Sequence, residues 1–369
     1  MRDILPAILL SFAIVSSCAG GVSEPFSPKG VKYAENLSIE QCNGYITVTI
    51  RNPWDTAAVM DRYILVDRDS KEEVLPPRGT VIEVPVSRAV VYSTVHASIA
   101  QELGAVDALA GVCEVEYVTS QEVLRRVEDG RIADLGMATS PSVERIMEIE
   151  ADVIIASPYE NSGYGAAEKI GVPIVEAADY MENHPLGRAE WVKFYGILFG
   201  CADRADSLFA AVEKRYNQLK QTVSQAGYRP TVLLEKRYGG NWAVPCGGSY
   251  IATLHKDAGA DYVFSSLEGT NSLTTSFENV FEAACDADFW LFKYDGKDEF
   301  SYDGLMAEYK PYGNFKACRE RRIYACNTLT TSYYNDITLH PDRILEDFIH
   351  IYHPESLGDY QPVYYKPLK

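Results

Sequence analysis

The stretch DRADSLFAAVEKRYNQLKQTVSQA, Asp203 to Ala226, sets how this 369-residue chain divides. Its apolar positions are Ala205, Leu208, Phe209, Val212, Tyr216, Leu219 and Val223. Steps of one, three and four residues put them on one helical face. Asp206, Glu213, Lys214, Arg215 and Lys220 fall largely elsewhere. Asp203 suits an N-cap, Gly227 a C′ position, and Pro230 bars continuation. At about 1.5 Å per residue the helix runs roughly 35 Å, the width of a small domain.

On either side of this helix the chain reads alike. Before it, the apolar runs Ala89-Val90-Val91-Tyr92, Leu109-Ala110-Gly111-Val112 and Asp152-Val153-Ile154-Ile155-Ala156 alternate with the helices Val95 to Leu103 and Val143 to Glu148. After it come the strands Thr231-Val232-Leu233-Leu234-Glu235, Asp288-Phe289-Trp290-Leu291-Phe292 and Arg322-Ile323-Tyr324-Ala325-Cys326. Helices from Tyr250 to Ala258 and from Pro341 to Ile351 separate or follow them. Apolar strands alternating with helices predict parallel sheets covered on both faces. The fold expected is α/β, with two parallel-sheet (Rossmann-like) lobes joined by one long helix. Ahead of them, Tyr45 to Ile50, Ile64-Leu65-Val66 and Thr80 to Pro85 predict an N-terminal β-layer.

The formal net charge of −18 argues against nucleic acid, which needs clustered Lys and Arg. At the amino terminus, Arg2 precedes an apolar run from Ile4 to Val15, too short to span a bilayer of roughly 30 Å. It ends in Val15-Ser16-Ser17-Cys18, which resembles the lipobox of bacterial lipoproteins. That resemblance implies acylation of Cys18; an ordinary secretory signal cut nearby is the alternative. Either reading places the protein in the cell envelope, in the periplasm or on an extracytoplasmic face. Membrane contact would be through the lipid anchor only. The divisions expected are a signal peptide at 1–18, a tether at 19–37, the β-layer at 38–85, lobes at 86–201 and 228–369, and the helix at 202–227. Seven cysteines remain after Cys18, without a C-x-x-C pair, and Cys318 and Cys326 flank a turn across which they could pair.

Several of these segments, in order, resemble the periplasmic binding proteins of ABC importers for iron chelates and cobalamin. They are Arg88 to Ser93 with Leu103-Gly104 and Leu109 to Val112, then Pro141 to Ile146 with Glu150 to Ile155. Phe277-Glu278-Asn279-Val280 repeats the last pattern in the second lobe, and His353-Pro354-Glu355 closes it. The resemblance covers about Val86 to Glu355; the β-layer departs from it. It implies no enzyme and no resident cofactor, but a monomeric receptor that captures a siderophore, haem or cobalamin between its lobes. Its partners would be that small-molecule chelate and the permease subunits. It also implies that Glu144 and Glu278, near a helix start in each lobe, meet arginines of the permease.

In open α/β sheets, ligands sit beyond the carboxyl ends of the strands. That rule selects Ser93, Thr94, His96, Met137, Tyr159 and Glu160 in the first lobe. In the second it selects Tyr238, Trp242, Ser249, Tyr250, Tyr333 and Tyr334, with Lys293, Tyr294 and Thr330 beside them. Aromatic walls suit a large ring-bearing ligand. Other readings are an enzyme, through Ser93 with His96 or Glu160 with His184, a free-metal-ion receptor, and a tethered adhesion protein. No nucleophile elbow, P-loop or dinucleotide fingerprint supports the first. Against the second, four of the six His sit on helices or the tail.

Overall fold

The computed structural model describes residues 29–70 and 78–369. The signal segment with Cys18, and tether residues 19–28, lie outside the described residues. Leu37–Gln41, Tyr45–Arg51, Val59–Asp67 and Thr80–Val84 form a four-stranded sheet in that order, the last pair parallel and the others antiparallel. Period-two alternation turns Val48, Ile50, Tyr63, Leu65 and Ile82 into the main core.

The first lobe carries five parallel strands in the order Ala133–Asp134, Leu109–Val112, Ala89–Val91, Val153–Ala156, Ile174–Glu176. The three central ones are buried along their whole length, as strands covered on both faces must be. The second lobe repeats the plan with Asp261–Tyr262, Thr231–Leu234, Phe289–Tyr294 and Ile323–Asn327, then adds Tyr365–Pro367 as an antiparallel edge. A separate antiparallel sheet of Arg237–Tyr238, Asn241–Pro245 and Ser272–Thr275 lies beside it. In each lobe the first parallel strand lies between neighbours reached by opposite crossovers. Such a switch point leaves a crevice at the strand's carboxyl end.

The long helix runs Ala202–Thr222, shorter than expected. Cys201 takes the N-cap position in place of Asp203, and Val223 ends it in a right-handed conformation, so Gly227 caps nothing. The early stop has a local cause. The Thr222 hydroxyl donates to Leu219 O and the Ser224 hydroxyl to Gln221 O, competing for carbonyls that a longer helix would use. Tyr216 and Lys220 bind Asp257 at 2.9 and 2.8 Å, tying the helix to the second lobe. On the amino-terminal side, the Tyr33 hydroxyl donates to Glu213 at 2.6 Å. One hydrophobic core runs unbroken from Leu37 and Val48 through Val91 and Phe194 to Ile344 and Phe348. The helix therefore stitches three layers together.

Residues 29–36, expected as tether, are instead clamped. The buried Glu190 carboxylate accepts the backbone N–H groups of Lys32, Tyr33 and Ala34 at 2.7–3.1 Å. Glu182 accepts those of Glu35 and Asn36 at 2.8 and 2.9 Å, and the Trp191 indole at 2.9 Å. Charge-assisted bonds of this kind are about twice as strong as neutral ones. Cys318 and Cys326 remain free thiols; Cys326 Sγ lies 3.6 Å from Thr331 Oγ1.

Candidate ligand cleft

A cleft of about 700 Å³ opens at the carboxyl edge of the first-lobe sheet. Ser93, Thr94 and Tyr159 line it, as strand-end reasoning expected, and Tyr334 reaches in from the second lobe. Ser93 also N-caps the helix Thr94–Glu102, accepting the Val95 N–H at 3.3 Å. Glu114, which follows Leu109–Val112, adopts a left-handed φ of 57° and accepts the Ala138 N–H at 2.9 Å. That bond ties the loops leaving two adjacent strands. Strain of this kind is tolerated where surrounding bonds over-determine it.

Tyr164 forms part of the wall and meets Tyr92 edge-on, with ring centres 6.3 Å apart. Its hydroxyl donates to Glu176 at 2.5 Å, and the Glu176 backbone N–H donates to the Tyr63 hydroxyl of the β-layer at 2.8 Å. Burial, then the Glu176 carboxylate, pushes the Tyr164 phenol well above the usual tyrosine range. The β-layer thus braces a wall of the cleft, through Tyr63, Glu176 and Tyr164 in turn. Tyr164→Phe keeps the ring and removes the tie, whose net worth is on the order of 1 kcal/mol. Calorimetry on the variant should show ligand affinity reduced up to about tenfold. Equal affinity would show that the tie does not shape the wall.

In the second lobe, Lys293 at the end of Phe289–Tyr294 pairs with Glu235. Its ammonium lies 5.9 Å from the Tyr333 ring centre, and that ring lies 5.5 Å from Tyr334. Burial works against the Lys293 charge, but Glu235, Tyr333 and Tyr250 outweigh it and hold its pKa above that of ordinary lysine. Tyr250 carries the guanidinium of Arg188, 3.8 Å above its ring, across the lobe junction. Tyr238, 90% exposed, belongs to a second hollow of about 1,100 Å³ shared with Arg237, Tyr294 and Tyr309.

Other expected ligand contacts are corrected by burial. Trp242 is fully enclosed, its indole donating to Leu234 O at 3.1 Å. His96 is 3% exposed because helical spacing turns it inward, where its Nε2 lies 3.4 Å from Asp179. Ser249 N-caps Tyr250–Asp257 and donates to Cys246 O, so its hydroxyl is used locally. Tyr333 is 1% exposed, packed against the rings of Tyr364 and Tyr365. Met137 points to solvent while Ala138 and Thr139 take the wall, and Glu160 sits exposed in the next turn. Neither enzyme pair forms: His96 faces Asp179, and His184 Nδ1 accepts the Leu186 N–H at 3.1 Å. Thr330 lies in a separate hollow beside the chain end.

Sequence reasoning missed Tyr92, Glu114, Tyr117 and Tyr164 as wall residues. Tyr92 was within reach, since it directly precedes Ser93 at a strand end. Tyr117 and Tyr164 lie in long connections whose course no periodicity reveals. Among the described residues no group of three or more His, Cys, Asp or Glu is arranged to hold a metal ion.

Glu144 and Glu278 are both exposed in the first turn of a helix, Val143–Glu148 and Phe277–Ala284. Each helix leads into the next parallel strand and so runs antiparallel to it, which puts its start on the cleft side of its lobe. Backbone N–H at the helix start and the Ser276 hydroxyl hold Glu278 below the usual carboxylate range.

Two parallel-sheet lobes with a cleft along their carboxyl edges, backed by one helix, define a bilobed small-molecule carrier. The chain belongs to the periplasmic binding protein family, whose profile it matches over residues 89–328, the span of the parallel strands of both lobes. This is a family of binding proteins, not enzymes. An uncharacterized lipoprotein of Methanocaldococcus jannaschii is 27% identical, over 91% of this chain and 84% of the relative. The uncovered 9% cannot contain the whole β-layer, so that match extends beyond the family profile. A possible iron-binding, periplasmic solute-binding protein of Staphylococcus epidermidis superposes with a TM-score of 0.59 at 15% identity, over 72% of this chain and 98% of its own. The ABC-type Fe3+-hydroxamate transport protein of Saccharomonospora viridis gives 0.56 at 18% identity, over 74% and 94%.

Proposed function

We propose that this protein is the receptor of an ABC importer, capturing an iron chelate (siderophore or haem) or cobalamin between its lobes for delivery to a permease. The observation that carries this reading is the cleft itself. A cavity of about 700 Å³, walled by Tyr92, Tyr117, Tyr159 and Tyr164 and met by Tyr334 of the other lobe, suits one ring-bearing or chelate ligand. The iron-related names of the two structural neighbours agree with it. Calorimetric titration of the purified protein with a ferric trihydroxamate, haemin and cyanocobalamin tests it. One-to-one binding of one of them is expected, and binding of none would remove the receptor reading in favour of an adhesion or scaffold role.

The protein would act as a monomer on an extracytoplasmic face, tethered through acylated Cys18. No described helix is long and apolar enough to cross a membrane, and the M. jannaschii relative bears the name lipoprotein. Stable anchoring takes more than one acyl chain, because one binds only marginally. Cys18→Ala should therefore move the folded protein from the membrane to the soluble fraction. Mass spectrometry showing an unacylated mature start elsewhere would contradict the anchor.

A further inference from the structure

The charges around the cleft are unevenly provided. Among its described lining residues, Glu114 is the one charged side chain, and none is Lys, Arg or His. Two lysines of the second lobe are already paired. Lys293 pairs with Glu235, and Lys236 with Glu308 at 2.8 Å. Arg237 stacks on Tyr309 at 4.1 Å and donates to Gly240 O. Arg188 stacks on Tyr250 and donates to Tyr180 O, and it is not among the lining residues. A polyanionic ligand entering here would lose its water without meeting a cationic side chain among the described lining residues, and burying unpaired charge is strongly unfavourable. The chain's net charge of −18 adds repulsion on approach.

Neutral hydrogen-bonding groups, by contrast, are waiting. The Tyr92 side chain forms part of the cleft wall, yet its hydroxyl is buried with no partner among the described residues. Leaving a buried hydroxyl unmatched costs about 1–3 kcal/mol, which a ligand oxygen would recover. Burial pushes this phenol up to about 12, so it stays a protonated donor.

We infer that the cleft takes a chelate carrying no net negative charge, gripped by hydroxyl groups and ring faces in place of ion pairs. This deepens the receptor reading and rests on it. The test is calorimetry of the purified protein with a neutral ferric trihydroxamate and a trianionic ferric tris-catecholate of similar size, with haemin and cyanocobalamin alongside. The tightest ligand should be the trihydroxamate or cyanocobalamin, binding at least ~100-fold tighter than the tris-catecholate and varying less than about twofold between low and high salt. Glu114→Gln keeps an oxygen for the Ala138 N–H and removes the charge, so it should narrow that gap by roughly tenfold. Tightest binding by the tris-catecholate or by haemin, which carries net negative charge through its propionates, would overturn the inference and leave the receptor reading standing. So would a gap that Glu114→Gln leaves unaltered. Binding of none of the four would instead overturn the receptor reading itself, and the inference with it.

Discussion

Replacing Glu144 and Glu278 together by lysine is expected to abolish uptake while leaving the ligand's affinity for the purified protein nearly unchanged. Each carboxylate is exposed at the start of its helix, one per lobe, and neither lines the cleft. Favourable placement against the helix dipole accounts for each glutamate singly, at roughly 0.3–1 kcal/mol. It does not account for their occupying equivalent positions, Ser142-Val143-Glu144 against Ser276-Phe277-Glu278, on the cleft side of both lobes. Two matched charges would let a permease register both lobes of the docked receptor. Complementarity at such a rim governs encounter and orientation more than ligand affinity. The check is paired: titration of the double variant, and growth on the limiting nutrient. Normal growth would take these residues out of the docking surface.

Trp242→Ala should destabilise the second lobe by about 3–5 kcal/mol, as truncating an enclosed aromatic does. Stabilities of whole domains are only about 5–15 kcal/mol, so the loss would be severe. Trp242 packs against Trp290, Tyr312 and Phe315 with ring centres 5.6–6.0 Å away, and its indole holds the Leu234 carbonyl. Denaturant unfolding measures the effect. A variant of undiminished stability that had lost ligand affinity would instead return Trp242 to the cleft.

Trp242 also shows where the sequence stops being legible. Strand-end reasoning treated the chain after Leu234 as a loop facing ligand. It forms a hairpin, in which Trp242 and Val244 turn inward while Asn241 and Ala243 face out. The alternation was present but only five residues long. The parallel strands were readable because they are continuous apolar runs, and the helices Val143–Glu148 and Pro341–Tyr352 because Ser142 precedes one, Pro341 opens the other, and both lead on from a clear break. The helices Pro185–Glu190 and Val192–Leu198 escaped notice for a physical reason. They are buried almost all round, Arg188 and Glu190 included, so no amphipathic stripe marks them. Tyr333–Leu339 is only seven residues long and follows a strand end closely, so the sequence predicts a loop there. Cleft residues on strand ends, Ser93, Thr94 and Tyr159, were accessible to a general rule. The bracing of Tyr164 by the β-layer was not, because Tyr63 and Tyr164 are a hundred residues apart and meet only through Glu176.

The central claim is that one ligand is held between two lobes, by walls that include Tyr159 and Tyr164 on one side and Tyr334 on the other. Hydrogen–deuterium exchange of the protein, with and without its saturating ligand, addresses this directly. The account predicts slowed exchange in two separated segments at once, 157–166 of the first lobe and 333–335 of the second. Protection confined to one lobe, or falling on the hollow around Tyr238 alone, would contradict it.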